Sequence, residues 1–348
     1  MEWIKPGINI DIIGKRFIAY VFSAILIAVS LVSLVMHGGP KMGVDFAGGA
    51  EMIFKFEQLP TAQEVRSALG AIGLEKATVQ ETHVEGQTEF LIRTDVEEGK
   101  GSDIAEQIEA VLEQALGTGV ELGKVDMVGP QVGKDLKEQA LMAMFYALLF
   151  ITVYISGRFE LKWIPPLVMA LAIIGVAYFM DKFDLGIPAQ IAVALVIAVA
   201  GFWALKLQYA MGAIVALIHD VIITVGVFSL VGKEFNLPII AALLTIVGYS
   251  LNDTIIVFDR IRENKTRHTR RALDFIINRS INETFSRTLL TSLTTLVVVI
   301  CLYVFGGSII ADFAFALLIG VLIGTYSSIF VASPILLAWQ KASGEAAQ

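Results

Sequence analysis

The sequence is poor in the residues from which soluble enzymes usually assemble their sites. It has one cysteine, Cys301, among 348 residues. A lone thiol within an apolar run excludes a disulfide framework and any cysteine-based metal site. No metal and no cofactor are expected, and the chain is not expected to be an enzyme. Charge is sparse too: 17% of residues are Asp, Glu, Lys or Arg, and acids outnumber bases 33 to 26, for a net charge of −7. A chain without a basic excess is a poor partner for nucleic acid, whose phosphates demand one. What is abundant is apolar, at 56% of residues and a mean hydropathy of +0.72. Most of such a chain lives in lipid.

The first apolar run, Phe17 to Met36, follows Lys15 and Arg16. Its twenty residues at 1.5 Å each give ~30 Å, the thickness of a bilayer core. His37-Gly38-Gly39-Pro40 is a poor cleavage site, so the run reads as a retained anchor. Residues 37–138 have a different texture. Ala50 to Phe56, Ala77 to Thr82, Glu89 to Thr94 and Lys124 to Val128 read as strands, and Thr61 to Ile72 and Ser102 to Leu116 as helices. Thr61 with Glu64 spells a capping box. The order βαββαβ predicts a ferredoxin-like α+β sandwich. This segment carries 19 acidic and 9 basic residues, so it holds more than the whole negative balance.

From Ala140 the chain is apolar again, with runs Ala140 to Ile155, Trp163 to Met180, Ala189 to Leu205, Ala210 to Val231, Leu237 to Phe258, Thr288 to Phe305 and Ala311 to Trp339. With the anchor this predicts a polytopic α-helical membrane protein of eight spans. Placing the N-terminus inside puts 15 of the 26 Lys and Arg on inner segments, leaving only Lys182 and Lys233 in short outer loops. That bias predicts cytoplasmic termini and an external domain. The divisions expected are 1–36 (N-terminal segment and first span), 37–138 (external domain), 139–157 (second span), 158–208 (an extra helical pair), 209–340 (core spans with a basic loop at 259–287) and 341–348 (tail).

Ionisable groups at membrane depth cost about 2.5 to 3.5 kcal/mol or more each and are seldom kept without a role. Asp220 lies in Ile218-His219-Asp220-Val221, and Asp253 in Gly248-Tyr249-Ser250-Leu251-Asn252-Asp253-Thr254, where Tyr249 and Asp253 share a face. The plain reading of Asp253 is a carboxyl held by Asn252 and Tyr249 to fasten helices. The functional one is a proton-binding carboxylate adjusted by a cation such as Arg287. For Asp220 the two readings balance. His219 should point about 100° away around the helix, which makes a direct His-Asp contact unexpected. Hydroxyls recur after Arg287 at Thr288, Thr291, Ser292, Thr294 and Thr295, suited either to helix packing or to a wet path. Gly320, Gly324 and Ser328, at spacing four, read as a close-packing face. The basic loop suits positive-inside topology and contact with anionic lipid.

These words resemble a known family. Gly43-Val44-Asp45-Phe46-Ala47-Gly48-Gly49, Val128-Gly129-Pro130-Gln131-Val132-Gly133, the His219-Asp220 helix, the Asn252-Asp253-Thr254 helix with Phe258-Asp259-Arg260-Ile261-Arg262-Glu263-Asn264, Arg287-Thr288-Leu289-Leu290-Thr291-Ser292 and Gly324-Thr325-Tyr326-Ser327-Ser328-Ile329 are similar, in order and spacing, to SecF proteins of the bacterial SecDF export complex. The resemblance implies an RND-type helix bundle of the inner membrane. Its implied partners are SecD and the SecYEG channel, functionally SecA, further YajC and YidC, with secretory polypeptides as substrate. It implies work driven by the proton gradient, with Asp253 as proton carrier, Arg287 as its cationic partner, and Asp220, Asn252, Tyr249 and Thr254 alongside. Asp45, Phe46, Gly48 and Gly49 are similar to the family's motif after the first span. The departure is Leu161 to Leu207, about 48 additional residues where the family usually has none. Two apolar runs there predict a peripheral hairpin without a proton-transfer role, since neither contains a charge. Two other classes stand beside this reading. A half-size RND-type exporter of small molecules or lipids would lack the Gly248 to Thr254 wording. An intramembrane aspartyl protease would need a Gly-x-Gly-Asp setting that is missing.

Overall fold

The computed structural model describes residues 9–75, 77–84, 87–94, 101–183 and 187–342. Lys5, most of the 341–348 tail and part of the link between the two extra helices lie outside them. Helix α1 (Arg16–Met36) is mostly apolar, yet the residues it buries are Ala19, Ser23, Ser30 and Ser33. That is expected in lipid, where large side chains face acyl tails and small or hydroxylated ones face protein. One turn of helix, α2 (Val44–Ala47), then leads into the α+β domain: β1 (Gly49–Phe56), α3 (Ala62–Gly70), β2 (Thr78–Val84), β3 (Gln87–Thr94), α4 (Gly101–Leu116) and β4 (Val120–Val128).

The sheet order is β2-β3-β1-β4 with every pair antiparallel. The expected βαββαβ sandwich is therefore present. Its core follows the strand period of two: Ala50, Met52 and Phe54 alternate inward on β1, opposite Phe90 and Ile92, under Val65 and Leu69 of α3 and Ile108 and Leu112 of α4. Thr61 caps α3 as its sequence suggests. Its hydroxyl accepts from the Glu64 amide at 3.3 Å while Glu64 Oε2 accepts from the Thr61 amide at 2.7 Å. These bonds hold the Glu64 carboxyl below the usual carboxylate range, so their support is present above that range and is lost as pH falls through it. The single turn α2 has no sequence signature, being four residues between glycines.

Pro130 opens α5 (Pro130–Glu160), and α6 (Ile164–Asp181), α7 (Ile187–Leu205), α8 (Gln208–Val231), α9 (Leu237–Arg267), α10 (Leu273–Phe305) and α11 (Gly307–Ser327) follow. A π-turn at Ser328–Ala332 joins α11 to α12 (Ser333–Ala342) without a break. Among the described residues, six helical stretches are long and apolar enough to cross a membrane: α1, α5, α8, α9, α10 and Ile310–Ala342. Of the eight spans expected, six are found as full-length helices, while the two extra runs give only shorter apolar stretches, Ile164–Met180 and Val196–Leu205. Some 17 residues rise only ~26 Å, under the bilayer core thickness.

This extra pair is less peripheral than its composition implies. Met169, Ala170 and Ile173 of α6, with Ala194 and Phe202 of α7, are buried in one cluster with Leu149 and Ile155 of α5 and Tyr209 and Ala213 of α8. Left-handed residues, Leu161 and Lys206, mark its two ends. There Lys162 Nζ donates to the Leu205 carbonyl at 2.5 Å, and the Tyr209 amide to Glu160 Oε1 at 2.9 Å. The chain entering the hairpin and the chain leaving it are therefore held together at its base.

Along α11, a Cβ on Gly320 would lie 2.3 Å from two atoms of Ile246, and one on Gly324 2.9 Å from Ser250 Cβ. Both glycines let α11 approach α9. Ser328 is buried at the start of the π-turn, where its carbonyl accepts from Ser333 Oγ at 3.1 Å. Gly320→Val should accordingly lower the stability of the purified protein by about 1 to 3 kcal/mol, read as a lower thermal midpoint in detergent. Gly175→Ala, where nothing lies within 4 Å, should not. In the α+β domain, Thr61→Ala should cost about 1 kcal/mol, seen as faster hydrogen exchange at the Glu64 amide.

Candidate functional site

Two carboxyls are buried among the spans, and their surroundings differ. Asp220, on α8, is 1% exposed. Its Oδ1 lies 2.9 Å from His219 Nδ1, and its Oδ2 accepts from Ser250 Oγ of α9 at 2.6 Å and Ser327 Oγ of α11 at 2.8 Å. His219 Nε2 reaches Ser23 Oγ of α1 at 3.1 Å. Ser23 in turn meets Tyr326 OH at 3.0 Å, and that hydroxyl donates to the Ala19 carbonyl at 2.9 Å. Four helices thus converge on one carboxylate. The expectation that His219 points away is corrected here. Successive Cβ atoms do diverge by about 100°, but Ser23 holds the far nitrogen and the imidazole folds back along the helix onto its neighbour. Thr224 returns its hydroxyl to the Asp220 carbonyl at 2.8 Å.

Asp253, on α9, is also 1% exposed, and it is far less satisfied. Ser292 Oγ of α10 donates to Oδ2 at 3.5 Å, and among the described residues Oδ1 has no hydrogen-bond partner. Ser292 is shared with Thr325 Oγ1 of α11 at 2.6 Å. One turn before Ser292, Thr288 Oγ1 is buried and likewise lacks a partner among the described residues. Buried polar atoms without partners are rare and costly, by about 1 to 3 kcal/mol each. Tyr249, one turn from Asp253, gives its hydroxyl to Thr295 of α10 at 3.2 Å. Thr254 is buried and Asn252 is exposed. Arg287 is exposed as well and forms no ion pair with Asp253 among the described residues. The hydroxyls after it divide: Thr291, Thr294 and Thr295 return to carbonyls of their own helix, while Ser292 faces Asp253.

Ser250, Ser292, Thr325, Ser327, Ser23 and Tyr326 escape a sequence reading that looks for charge. Hydroxyls at helical spacing are their only trace, and on a membrane helix such residues more often bond their own backbone. The arginines after Asp259 are largely engaged by protein. Arg158 pairs with Asp259 at 2.8 Å, Arg260 with Glu263 at 2.5 Å and Glu283 at 2.8 Å, and Arg267 with Glu263 at 2.6 Å.

The glycine-rich motif after α1 joins the domain to the bundle. Asp45 Oδ2 accepts from the Leu237 amide at the start of α9, at 2.8 Å. Phe46 is buried against Phe235 and Ile239. Gly48 and Gly49 have φ of 78° and 113°, and a Cβ on Gly48 would lie 2.9 Å from Pro130 Cα, so only glycine fits where β1 leaves beside α5.

Comparison with known proteins agrees with this layout. The family described as protein export membrane protein SecD/SecF, C-terminal, matches residues 107–202 and 183–342. A protein translocase subunit SecF of Desulfurispirillum indicum is 41% identical over 93% of this chain and 90% of its own length. That of Magnetococcus marinus is 42% identical over 97% and 94%. Among solved structures, SecDF, a translocon-associated membrane protein from Thermus thermophilus, superposes with a TM-score of 0.75 at 29% identity, covering 96% of this chain. This chain spans 39% of that longer one. With an RND-type bundle, a ferredoxin-like domain after its first span and full-length similarity to these proteins, the chain belongs to the SecF family of protein translocase subunits.

Proposed function

We propose that this SecF-family chain works with SecD beside the SecYEG channel, using the proton gradient to draw a secretory polypeptide outward after SecA has pushed it. The observation that carries the proton-coupled part is the contrast between the two buried carboxyls. Asp220 is saturated with donors and suits a fixed acceptor that holds α1, α8, α9 and α11 together. Asp253 has one long hydrogen bond and, among the described residues, one oxygen without a partner, so either of its protonation states leaves something unmet. A carboxyl so placed exchanges a proton at little structural cost and rearranges its hydroxyl neighbours as it does so. One proton crossing ~100 mV delivers about 2.3 kcal/mol, which shifts a two-state equilibrium by roughly 50-fold.

The exposed flank of α9 and α10 supports SecD as the partner. Asn252, Arg287 and Thr294 are exposed there, set among Leu290, Leu293 and Val297. A guanidinium where the apolar run of α10 opens is costly against acyl chains, whereas a neighbouring subunit with polar groups at that depth satisfies it. Arg287 then acts from this interface, completing the proton path only in the assembled complex. The termini lie in the cytoplasm and the acidic α+β domain on the periplasmic side, an orientation supported by the distribution of Lys and Arg.

Asp253→Asn should abolish the stimulation of translocation by an imposed proton gradient in inverted membrane vesicles, while the variant still inserts and co-purifies with SecD. Full stimulation in that variant would overturn the reading.

A further inference from the structure

Movement at Asp253 is useful only if it reaches the α+β domain, and the covalent links to that domain are few. The exit from α1 passes through Gly38 and Gly39, with φ of 71° and 118° and nothing within 4 Å of a Cβ on either. Such a link transmits little force. The turn at residues 232–236, between α8 and α9, makes a different kind of connection. The Phe235 amide donates to the Lys41 carbonyl at 2.7 Å, and the Gly43 amide to the Phe235 carbonyl at 2.6 Å, so Met42 and Phe235 form a parallel β-bridge. On the same turn Lys233 pairs with Asp312 of α11 and lies over the Phe315 ring, 5.4 Å from its centroid.

Glu234 is the centre of this junction. Its carboxylate pairs with Arg93 of β3 and, at 2.9 Å, with Lys41. The other arm of Arg93 pairs with Glu51 of β1. Side-chain exposure is 9% for Glu234 and 15% for Arg93, low enough that the pair is weakly screened and costly to break. Burial and the nearby Arg93 push the Lys41 ammonium below its ordinary value, as expected for a cation crowded into the same site. The turn also begins α9: Asn236 caps it, and Asp45 accepts from its first amide. Asp253 is four to five turns further along that helix.

We propose that Arg93 and Glu234 are positioning residues that couple the helix bundle to the α+β domain, so that displacement of α9 is delivered through the 232–236 turn to the two central strands of the sheet. Neither group touches the proton. Their task is to keep the turn and the domain together as one body while Gly38 and Gly39 swivel. The inference rests on the proton-coupled reading above.

The test uses the full chain assembled with SecD in inverted vesicles and measures translocation with and without an imposed proton gradient. Arg93→Gln and Glu234→Gln should each lower the ratio about fivefold or more, while Arg93→Lys keeps most of it. Met42→Cys with Phe235→Cys, added to Glu234→Gln and Cys301→Ser, should recover the ratio when oxidised and lose it again on reduction. Full stimulation in both Gln variants overturns the coupling, as does a disulfide whose formation blocks translocation, since the two parts must then separate. Run in parallel, Asp253→Asn separates the failures. If it loses stimulation while the Gln variants keep theirs, the coupling alone is wrong. If it keeps stimulation, the proton-coupled reading falls and the coupling with it.

Discussion

A carboxylate removed from water into a bundle of apolar helices must find its donors there, because lipid offers none and the desolvation cost is several kcal/mol. Asp220 meets this requirement by gathering the four helices: Ser23 through His219, then Ser250 and Ser327 directly. The demand of one side chain for donors thereby fixes how α1, α8, α9 and α11 face one another. Close approach of α11 and α9 at Gly320 and Gly324 accompanies it, since Gly324 lies opposite Ser250, one of the two serines that donate to Asp220.

Asp253 lies on the same α9 under the same rule and violates it. With Asp220 anchoring the helix one face over, the bundle tolerates an under-satisfied carboxyl whose hydroxyl neighbours, Ser292 and Thr325, already bond each other. Two acids of similar burial thus differ sharply in how their oxygens are satisfied. Arg287, which the SecF resemblance ties to Asp253, stands exposed on the outer flank of α10.

The same economy governs the border between bundle and domain. The turn at 232–236 commits its few residues to a β-bridge, a helix cap and three ion pairs. That turn ties the start of α9 to the sheet, while Gly38 and Gly39 after α1 adopt positive φ with open space around them. The 161–207 hairpin, by contrast, contributes apolar contacts to one side of the cluster and no charge to its centre.

Local physics made much of this legible in the amino-acid order. Alternation of Ala50, Met52 and Phe54, the Thr61 and Glu64 capping box and the βαββαβ order specify the domain, because strand period and cap chemistry are properties of neighbours in sequence. Apolar runs and the placement of Lys and Arg outline the membrane part, and Asp220 and Asp253 stand out there by their cost in lipid. What each acid meets could be decided only in three dimensions. Ser250 lies 30 residues from Asp220 and Ser327 lies 107 away, and nothing local distinguishes them from hydroxyls such as Thr224 that bond their own helix. The folding back of His219, the pairing of Arg93 with Glu234 and the absence of a donor at Asp253 Oδ1 likewise depend on which helices and strands become neighbours. Sequence determined which groups must be accommodated; the tertiary packing alone decided which of them would be satisfied.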